Sequence, residues 1–239
     1  MTELKGKVVC ITGASRGLGA SIARAFDAVG ARLVLASRSQ AAIDELASDL
    51  KDAIAVQSDV RDPEDLERLV DAAIGEFGCL DIFVNNAGLA VYGPVESMSV
   101  EAVNQMIDTN LKGVIFGSQA AYRVMKKQRF GHIINISSVA GKLHLKNEAV
   151  YNASKWGVNG FSGTLAMEAR HYNVRVSTLC PGGIDTPFWK EQDFHPYPEH
   201  IDPQRDFLKP TDVAHAVVYA AQMPEQCHLA DMLLLPMTP

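Results

Sequence analysis

The chain of 239 residues is predicted to fold as a doubly wound α/β domain, a seven-stranded, mostly parallel sheet with helices on both faces. Three observations lead there. Short runs rich in aliphatic and β-branched residues alternate with segments of helical periodicity from one end of the chain to the other. The strand runs are apolar throughout rather than at every second residue, as strands covered on both faces must be. Small and polar residues collect where the strand runs stop. No linker, repeat or low-complexity tract interrupts the pattern, so residues 1–239 are expected to form one domain.

The elements follow in order. KVVCIT precedes a helix predicted around residues 18–29, RLVLAS a helix around 41–50, and AIAVQ a helix around 63–77. DIFVN leads to a long helix near 100–128, HIINIS to a helix near 151–170, and VRVSTLC to a helix at 213–222, after which MLLLP supplies the seventh strand. Asp62 before Pro63 and Ser99 before Glu101 read as helix starts, and Gly30 and Gly78 as helix ends. Residues 184–210 break the rhythm: five prolines, with Phe188, Trp189, Phe194, Tyr197 and Phe207 among them. That stretch is too long for an ordinary connection.

Charge narrows the function. Lys and Arg number 22 against 28 Asp and Glu, a net charge of −6, which argues against nucleic acid or anionic membrane as a partner. No apolar run reaches about 18 residues and the first residues are charged, so the cytoplasm is the expected compartment. Cys10, Cys79, Cys180 and Cys227 form no C-x-x-C pair and are expected to be free thiols. His195, Glu199 and His200 lack ligand spacing, and no metal is expected.

In an open parallel sheet ligands bind beyond the carboxyl ends of the strands. The first strand runs into Gly13-Ala14-Ser15-Arg16-Gly17-Leu18-Gly19, a glycine-rich turn feeding a helix whose N-terminal amides attract phosphate. The second ends at Ser37-Arg38, where a carboxylate would be needed to hold an unphosphorylated ribose. Arg38 and Arg16 instead supply two guanidinium forks for a 2′-phosphate, which points to NADP(H). The third strand ends at Asp59-Val60, the fourth at Asn85-Asn86-Ala87-Gly88, the fifth at Asn135-Ile136-Ser137-Ser138 and the sixth at Pro181-Gly182.

Tyr151 and Lys155, four apart near the start of a helix, project from one face, and Ser138 closes the strand before them. A nearby cation lowers the pKa of a phenol, so Lys155 is expected to make Tyr151 a general acid/base, with Ser138 holding the substrate oxygen. Asn110 lies inside a helical stretch, where its amide competes for backbone hydrogen bonds; it is expected either to end a proton relay from Lys155 through water or to bend the helix near Gly113.

These residues resemble the short-chain dehydrogenase/reductase family over nearly the whole chain, from Lys7 to about Pro187, and imply its Rossmann-type fold. Gly13, Gly17 and Gly19 resemble the family's cofactor glycines, Asp59-Val60 its adenine-contacting pair, and Asn86, Ala87 and Gly88 the motif that lines the cofactor. Asn110, Ser138, Tyr151 and Lys155 match its catalytic tetrad. The resemblance further implies that Lys155 holds the nicotinamide ribose, that Pro181, Gly182, Ile184 and Thr186 line the nicotinamide, and that the chain forms a dimer or tetramer through its long helices.

The expected reaction is therefore NADPH-dependent interconversion of a carbonyl and an alcohol on a small-molecule substrate. The ending MLLLPMTP departs from many relatives and looks like that of the 3-hydroxy acid and serine dehydrogenases. A 3-oxoacyl-thioester (acyl-carrier-protein) reductase is the alternative within the enzyme class; Lys126, Lys127 and Arg129 are read as cations that offset the dipole at the end of a long helix, with a carrier contact as their alternative role. A non-catalytic NADP-binding sensor or scaffold is the alternative outside it. The aromatic segment at about 185–210 is expected to be a lid over the substrate, and Tyr92, Leu143 and His144 to complete the pocket wall.

Overall fold

The computed structural model describes residues 1–191 and 194–237. Seven parallel strands form one sheet in the order β3-β2-β1-β4-β5-β6-β7: β1 Val8–Thr12, β2 Arg32–Ser37, β3 Ala53–Gln57, β4 Ile82–Asn85, β5 Gly131–Ile136, β6 Val174–Pro181 and β7 Asp231–Leu234. The order reverses between β1 and β4, which opens a crevice at their carboxyl ends.

Alternate residues of the strands feed two separate cores. Val9, Ile11, Leu33 and Leu35 face Ile22 and Phe26 of α1 (Gly17–Ala28), Ile43 of α2 (Gln40–Ser48) and Val217 of α8 (Pro210–Ala221). Val8, Cys10, Val34 and Ala36 face Leu66 and Leu69 of α3 (Pro63–Phe77), Met125 of α5 (Gly113–Gln128) and Leu165 of α6 (Ala149–Ala169). Both faces are dry, which is why the strands read as unbroken apolar runs. All four cysteines are free, and Cys10 and Cys180 are buried.

Boundary signals act as expected at several ends. Asp62 accepts from Glu64 N (2.9 Å) ahead of Pro63, Ser99 accepts from Ala102 N (3.1 Å), and Gly78 closes α3 at φ +83°. The last long helix begins three residues earlier than the periodicity places it, because Pro210 suits the first turn and Asp212 accepts from the Lys209 amide (3.1 Å). The long helix expected at 100–128 is not uniform. It runs as α4 (Val100–Met106), a π-helical stretch from Ile107–Lys112, and α5.

The segment after β6 folds back on itself. Ile184 bridges Leu208, a 3-10 turn spans Pro187–Glu191, and a short helix, α7, spans Pro203–Asp206. Gln192 and Asp193 of this segment, and Thr238 and Pro239 of the C-terminal motif, lie outside the described residues.

His132 on β5 is almost fully buried, and burial, followed by repulsion from Arg175 and His228, holds its pKa well below the ordinary 6.5. Ser177 donates to Leu229 O, so its oxygen accepts from His132 Nε2 (2.7 Å), and Nδ1 has no hydrogen-bond partner among the described residues. Below pH 6.5 the unfolded chain binds a proton here that the folded chain refuses. Stability therefore falls with decreasing pH in that region, by about 1.4 kcal/mol per pH unit from this residue alone. Urea unfolding at a series of pH values is expected to show that slope reduced in His132→Gln; identical slopes in the two proteins would mean His132 is not held neutral.

Candidate active site

The glycine turn after β1 is shaped by contacts that no side chain would survive. A Cβ on Gly13 would sit 2.8 Å from Ala87 Cα, and one on Gly19 would sit 2.1 Å from Gly13 O. Gly17 has φ +55°, the left-handed region that glycine enters without strain. Arg16, the residue before α1, makes no side-chain cap, and the first turn of α1 holds no acidic residue, so its amides remain suited to an anion.

Two side chains tie this turn to the loop after β4. Thr12 Oγ1 accepts from Asn86 N (3.0 Å) and Ala87 N (3.2 Å), while Asn86 Nδ2 donates to Thr12 O (2.9 Å) and Gly13 O (3.2 Å). Thr186 stands over the same turn, its Cβ 3.5 Å from where a Gly17 Cβ would be. Leu18 packs into the core beneath, and Ser15 stays partly exposed on the turn. Gly182 donates to Leu234 O (2.8 Å), and a Cβ on it would meet Pro236 at 2.9 Å, so the C-terminal strand braces the turn after Pro181.

Arg38 is exposed at the end of β2, while the Ser37 hydroxyl is spent on Ser39 within the turn. Arg61, bonded to Asp59 through Nε (3.0 Å), and more weakly Arg38, keep the Asp59 carboxyl below its ordinary range. Val60 packs under Gly113, where a Cβ would come within 2.9 Å of it.

The predicted reacting groups converge. Ser138 Oγ accepts from Ala140 N (3.1 Å), which leaves its proton to donate toward the nearby Tyr151 phenol, whose pKa it lowers. Lys155 is buried with Nζ 5.7 Å from the Tyr151 ring centre, and it donates to Ile136 O (3.1 Å).

The electrostatics differ from the simple picture of an ammonium pulling the phenol down. Burial raises the Tyr151 pKa well above its ordinary value; the Ser138 bond opposes this and the Glu148 charge adds to it. Burial also lowers the Lys155 pKa to about 8, which weakens it as a fixed cation. Desolvation wins because Lys155 is buried against β5 and Tyr151 is partly covered by the Tyr92 ring.

Asn110 lies in the π-helical stretch, fully buried. Its Oδ1 accepts from Leu89 N (2.9 Å), and its Nδ2 donates to Leu89 O (2.8 Å) and Ser154 Oγ (3.1 Å). One side chain thus joins the loop after β4 to α6. Gly88 lies between, since a Cβ there would be 3.3 Å from Asn110 Oδ1 and 3.7 Å from Lys155 Nζ.

Deeper in, Asn85 donates to Ser118 Oγ (3.1 Å) and Asn135 Oδ1 (2.8 Å), and Asn135 donates to Ser162 Oγ (2.8 Å). These two strand-end residues therefore fasten the sheet to α5 and α6 rather than facing a ligand.

A family profile described as short chain dehydrogenase matches residues 7–195. The chain belongs to the short chain dehydrogenase family. It is 36% identical over 241 residues to an uncharacterized oxidoreductase of Staphylococcus saprophyticus, covering 99% of this chain and 100% of the relative. Among solved structures it resembles the closed form of serine dehydrogenase complexed with NADP+ (TM-score 0.87, 32% identity, 95% of this chain and 94% of that one). It also resembles the alcohol dehydrogenase of the archaeon Thermococcus sibiricus complexed with 5-hydroxy-NADP (TM-score 0.87, 28% identity, 96% of each chain).

Within this short chain dehydrogenase, the Tyr92 ring lies 5.7 Å from that of Tyr151 and is stacked on Trp189 at 5.7 Å. The His144 ring stacks on Trp156 at 5.5 Å, and Leu143 is half exposed. Lys126 and Arg129 lie over the Tyr172 ring, at 4.3 and 5.2 Å. Glu148, which stands just before α6 and three residues ahead of Tyr151, was not singled out from the sequence.

Asn110→Ala would leave both backbone groups of Leu89 without their partner, at a cost of about 1–3 kcal/mol in unfolding free energy. Amide exchange at Leu89 is expected to accelerate in this variant. Unchanged protection there would show that the π-helical stretch is held by something else.

Proposed function

We propose that this short chain dehydrogenase interconverts a ketone or aldehyde and the corresponding alcohol, using NADP(H). The observation that carries the reading is Tyr151 with Ser138 close enough to lower the pKa of its phenol and with Lys155 buried, its Nζ 5.7 Å from the Tyr151 ring centre, at the carboxyl ends of the strands next to a glycine turn. When bound, the nicotinamide supplies or accepts the hydride. Everything else falls to side chains of this chain.

The residues present fit the dinucleotide. Gly13, Gly17 and Gly19 leave room for a pyrophosphate over the amides of α1, while Ala87 and Gly88, with Asn86 anchored to Thr12, form the opposite wall. Asp59 and Val60 flank the adenine, Ser37 ends the strand beside it, and exposed Arg16 and Arg38 select the 2′-phosphate. Pro181, Gly182, Ile184 and Thr186 back the nicotinamide. The NADP complexes of the two solved relatives support this choice.

Tyr151 gives its proton to the carbonyl oxygen in reduction and takes it from the hydroxyl in oxidation, so a phenol that burial keeps protonated is ready for reduction. Ser138 donates to the same oxygen and fixes its place. Lys155 holds a ribose hydroxyl and carries charge beneath the Tyr151 ring. Asn110 acts through Leu89 and Ser154 as a positioning residue.

Three finer features belong to the proposal. The Leu234–Gly182 contact and the similarity to a serine dehydrogenase favour small 3-hydroxy acids as substrates. The aromatic segment at 185–210 covers the substrate as a lid of the single domain, packed through Trp189 on Tyr92. A dimer or tetramer forms through α5 and α6, where Trp156 and Met167 are exposed. No helix among the described residues is long and apolar enough to cross a membrane, which accords with a cytoplasmic enzyme.

Tyr151→Phe is expected to bind NADPH as the native protein does and to lose about 100-fold or more in kcat; retained turnover would remove Tyr151 from the mechanism. Arg38→Ala is expected to weaken NADPH binding about tenfold or more while leaving NADH unaffected, measured by titration. An equal effect on both coenzymes would dismiss the guanidinium clamp.

A further inference from the structure

The loop after β4 is fastened at both ends, and a tyrosine stands between the fastenings. At one end Asn110 serves both backbone groups of Leu89, at 2.9 and 2.8 Å. At the other, Gly93 N donates to Asn147 O (2.8 Å), just ahead of α6. Val91 N donates to Met106 Sδ (3.4 Å) in between. Tyr92 is thus carried on a tethered backbone, and its side chain is buried.

Its ring joins two parts of the site. The Tyr151 ring meets it edge to face at 5.7 Å, and the Trp189 ring lies almost parallel to it, also at 5.7 Å, with 10° between the planes. No ring contact among the described residues links Tyr151 to Trp189 directly, so Tyr92 is the bridge. Trp189 is itself fixed within the segment after β6. Its indole N–H donates to Ile184 O (2.8 Å), and its ring contacts Phe188, Tyr197 and Phe207 at 5.4, 5.4 and 5.1 Å. Phe207 in turn packs on Gly183, where a Cβ would come within 2.8 Å of its ring. Ring pairs in edge-on and stacked arrangements attract with a preferred direction, because the positive edge of one ring seeks the negative face of another.

The Tyr151 oxygen sits at the far end of a side chain rooted in the first turn of α6, so rotation about its Cα–Cβ bond swings the oxygen while the helix stays in place. Ser138 acts on that oxygen, whereas Tyr92 acts on the ring that carries it. Burial, followed by repulsion from Tyr151 and Glu148, holds the Tyr92 pKa well above its ordinary value, so Tyr92 offers shape and no charge.

We propose that Tyr92 is a positioning residue for proton transfer: its ring sets the direction of the Tyr151 phenol, and through Trp189 that direction follows the placement of the 185–210 segment. Seating of the segment and alignment of the phenol are then one event, and a misplacement of about 1 Å in a reacting group can cost about 100-fold in rate. The inference rests on the reading of Tyr151 as the proton donor to a carbonyl.

One readout needs no turnover. Fluorine NMR of the full-length protein carrying ring-fluorinated tyrosine, with Tyr151→Phe identifying the Tyr151 signal, should show that signal displaced in Trp189→Leu. In the Tyr92→Ala background the same Trp189→Leu change should leave it where it is, since the bridge is gone. The second readout is kinetic. In reduction of ethyl acetoacetate by NADPH, Tyr92→Ala should lower kcat about tenfold or more with KM for NADPH within about twofold of native, and Tyr92→Phe, which keeps the ring, should stay within about threefold of native in kcat. Because burial is what raises the Tyr151 pKa, the rise of the reverse, oxidative rate with pH should move to lower pH in Tyr92→Ala. If Tyr92→Ala melts early, Tyr92→Leu takes its place, filling the space without a ring. A Tyr151 signal that ignores Trp189→Leu, or native kcat and pH profile in Tyr92→Ala, overturns the positioning role. A signal that follows Trp189 through Tyr92 in a protein that reduces no ketone keeps the coupling, and the failure then belongs to the carbonyl reading.

Discussion

The site hangs on the amide of Asn110. A parallel sheet ends in loops whose backbone groups have no next strand to pair with, and each must find a partner or stay wet. Leu89 finds both of its partners in one side chain, the third bond of which reaches Ser154 on the helix that bears Tyr151 and Lys155. The π-helical stretch is what carries Asn110 into reach, and irregular helix turns of this kind collect at functional sites. Remove that amide and the loop lining one side of the crevice loses its fixed distance from the helix lining the other.

The ionisable groups here share one physical fate. Burial pushes the Tyr151 phenol up, Glu148 to about 7 and Lys155 down to about 8, so all three are moved toward their neutral forms. Only the Ser138 hydrogen bond works against this for Tyr151. A site poised between charge states near neutrality responds strongly to whatever charge enters it.

Much of this was legible in the residues. Strand apolarity, the glycine turn and the polar strand ends report the sheet and its crevice because each follows from a local need: dry faces, a positive φ at Gly17, a close approach at Gly13 and Gly19. The convergence of Ser138, Tyr151 and Lys155 follows from helix spacing plus strand order. The π-helical stretch was not legible, because six residues of altered pitch leave no periodic trace, and Asn110 only hinted at a disturbance. Glu148 was overlooked because a lone acid before a helix normally reads as a cap, and only packing reveals that it caps nothing. The partners of Asn85 and Asn135 were equally hidden, since they lie 33 and 27 residues further on, on α5 and α6. Helix ends moved by a few residues wherever proline or a side-chain cap outweighed apolar spacing.

The wide turn at Ile107–Lys112 also sets the phase of everything after it. Successive α-helical residues rotate by about 100°, so the faces of α4 and α5 do not lie on one helical wheel, and the buried Met106 and Val114 belong to two separate counts. A chain one residue shorter through this turn would swing Gly113 and Gly117 off Val60 and Asn85 and put side chains where only hydrogens fit. Length in this short stretch is thus set by geometry rather than by chemistry: six residues are what bring both glycines of α5 under their neighbours.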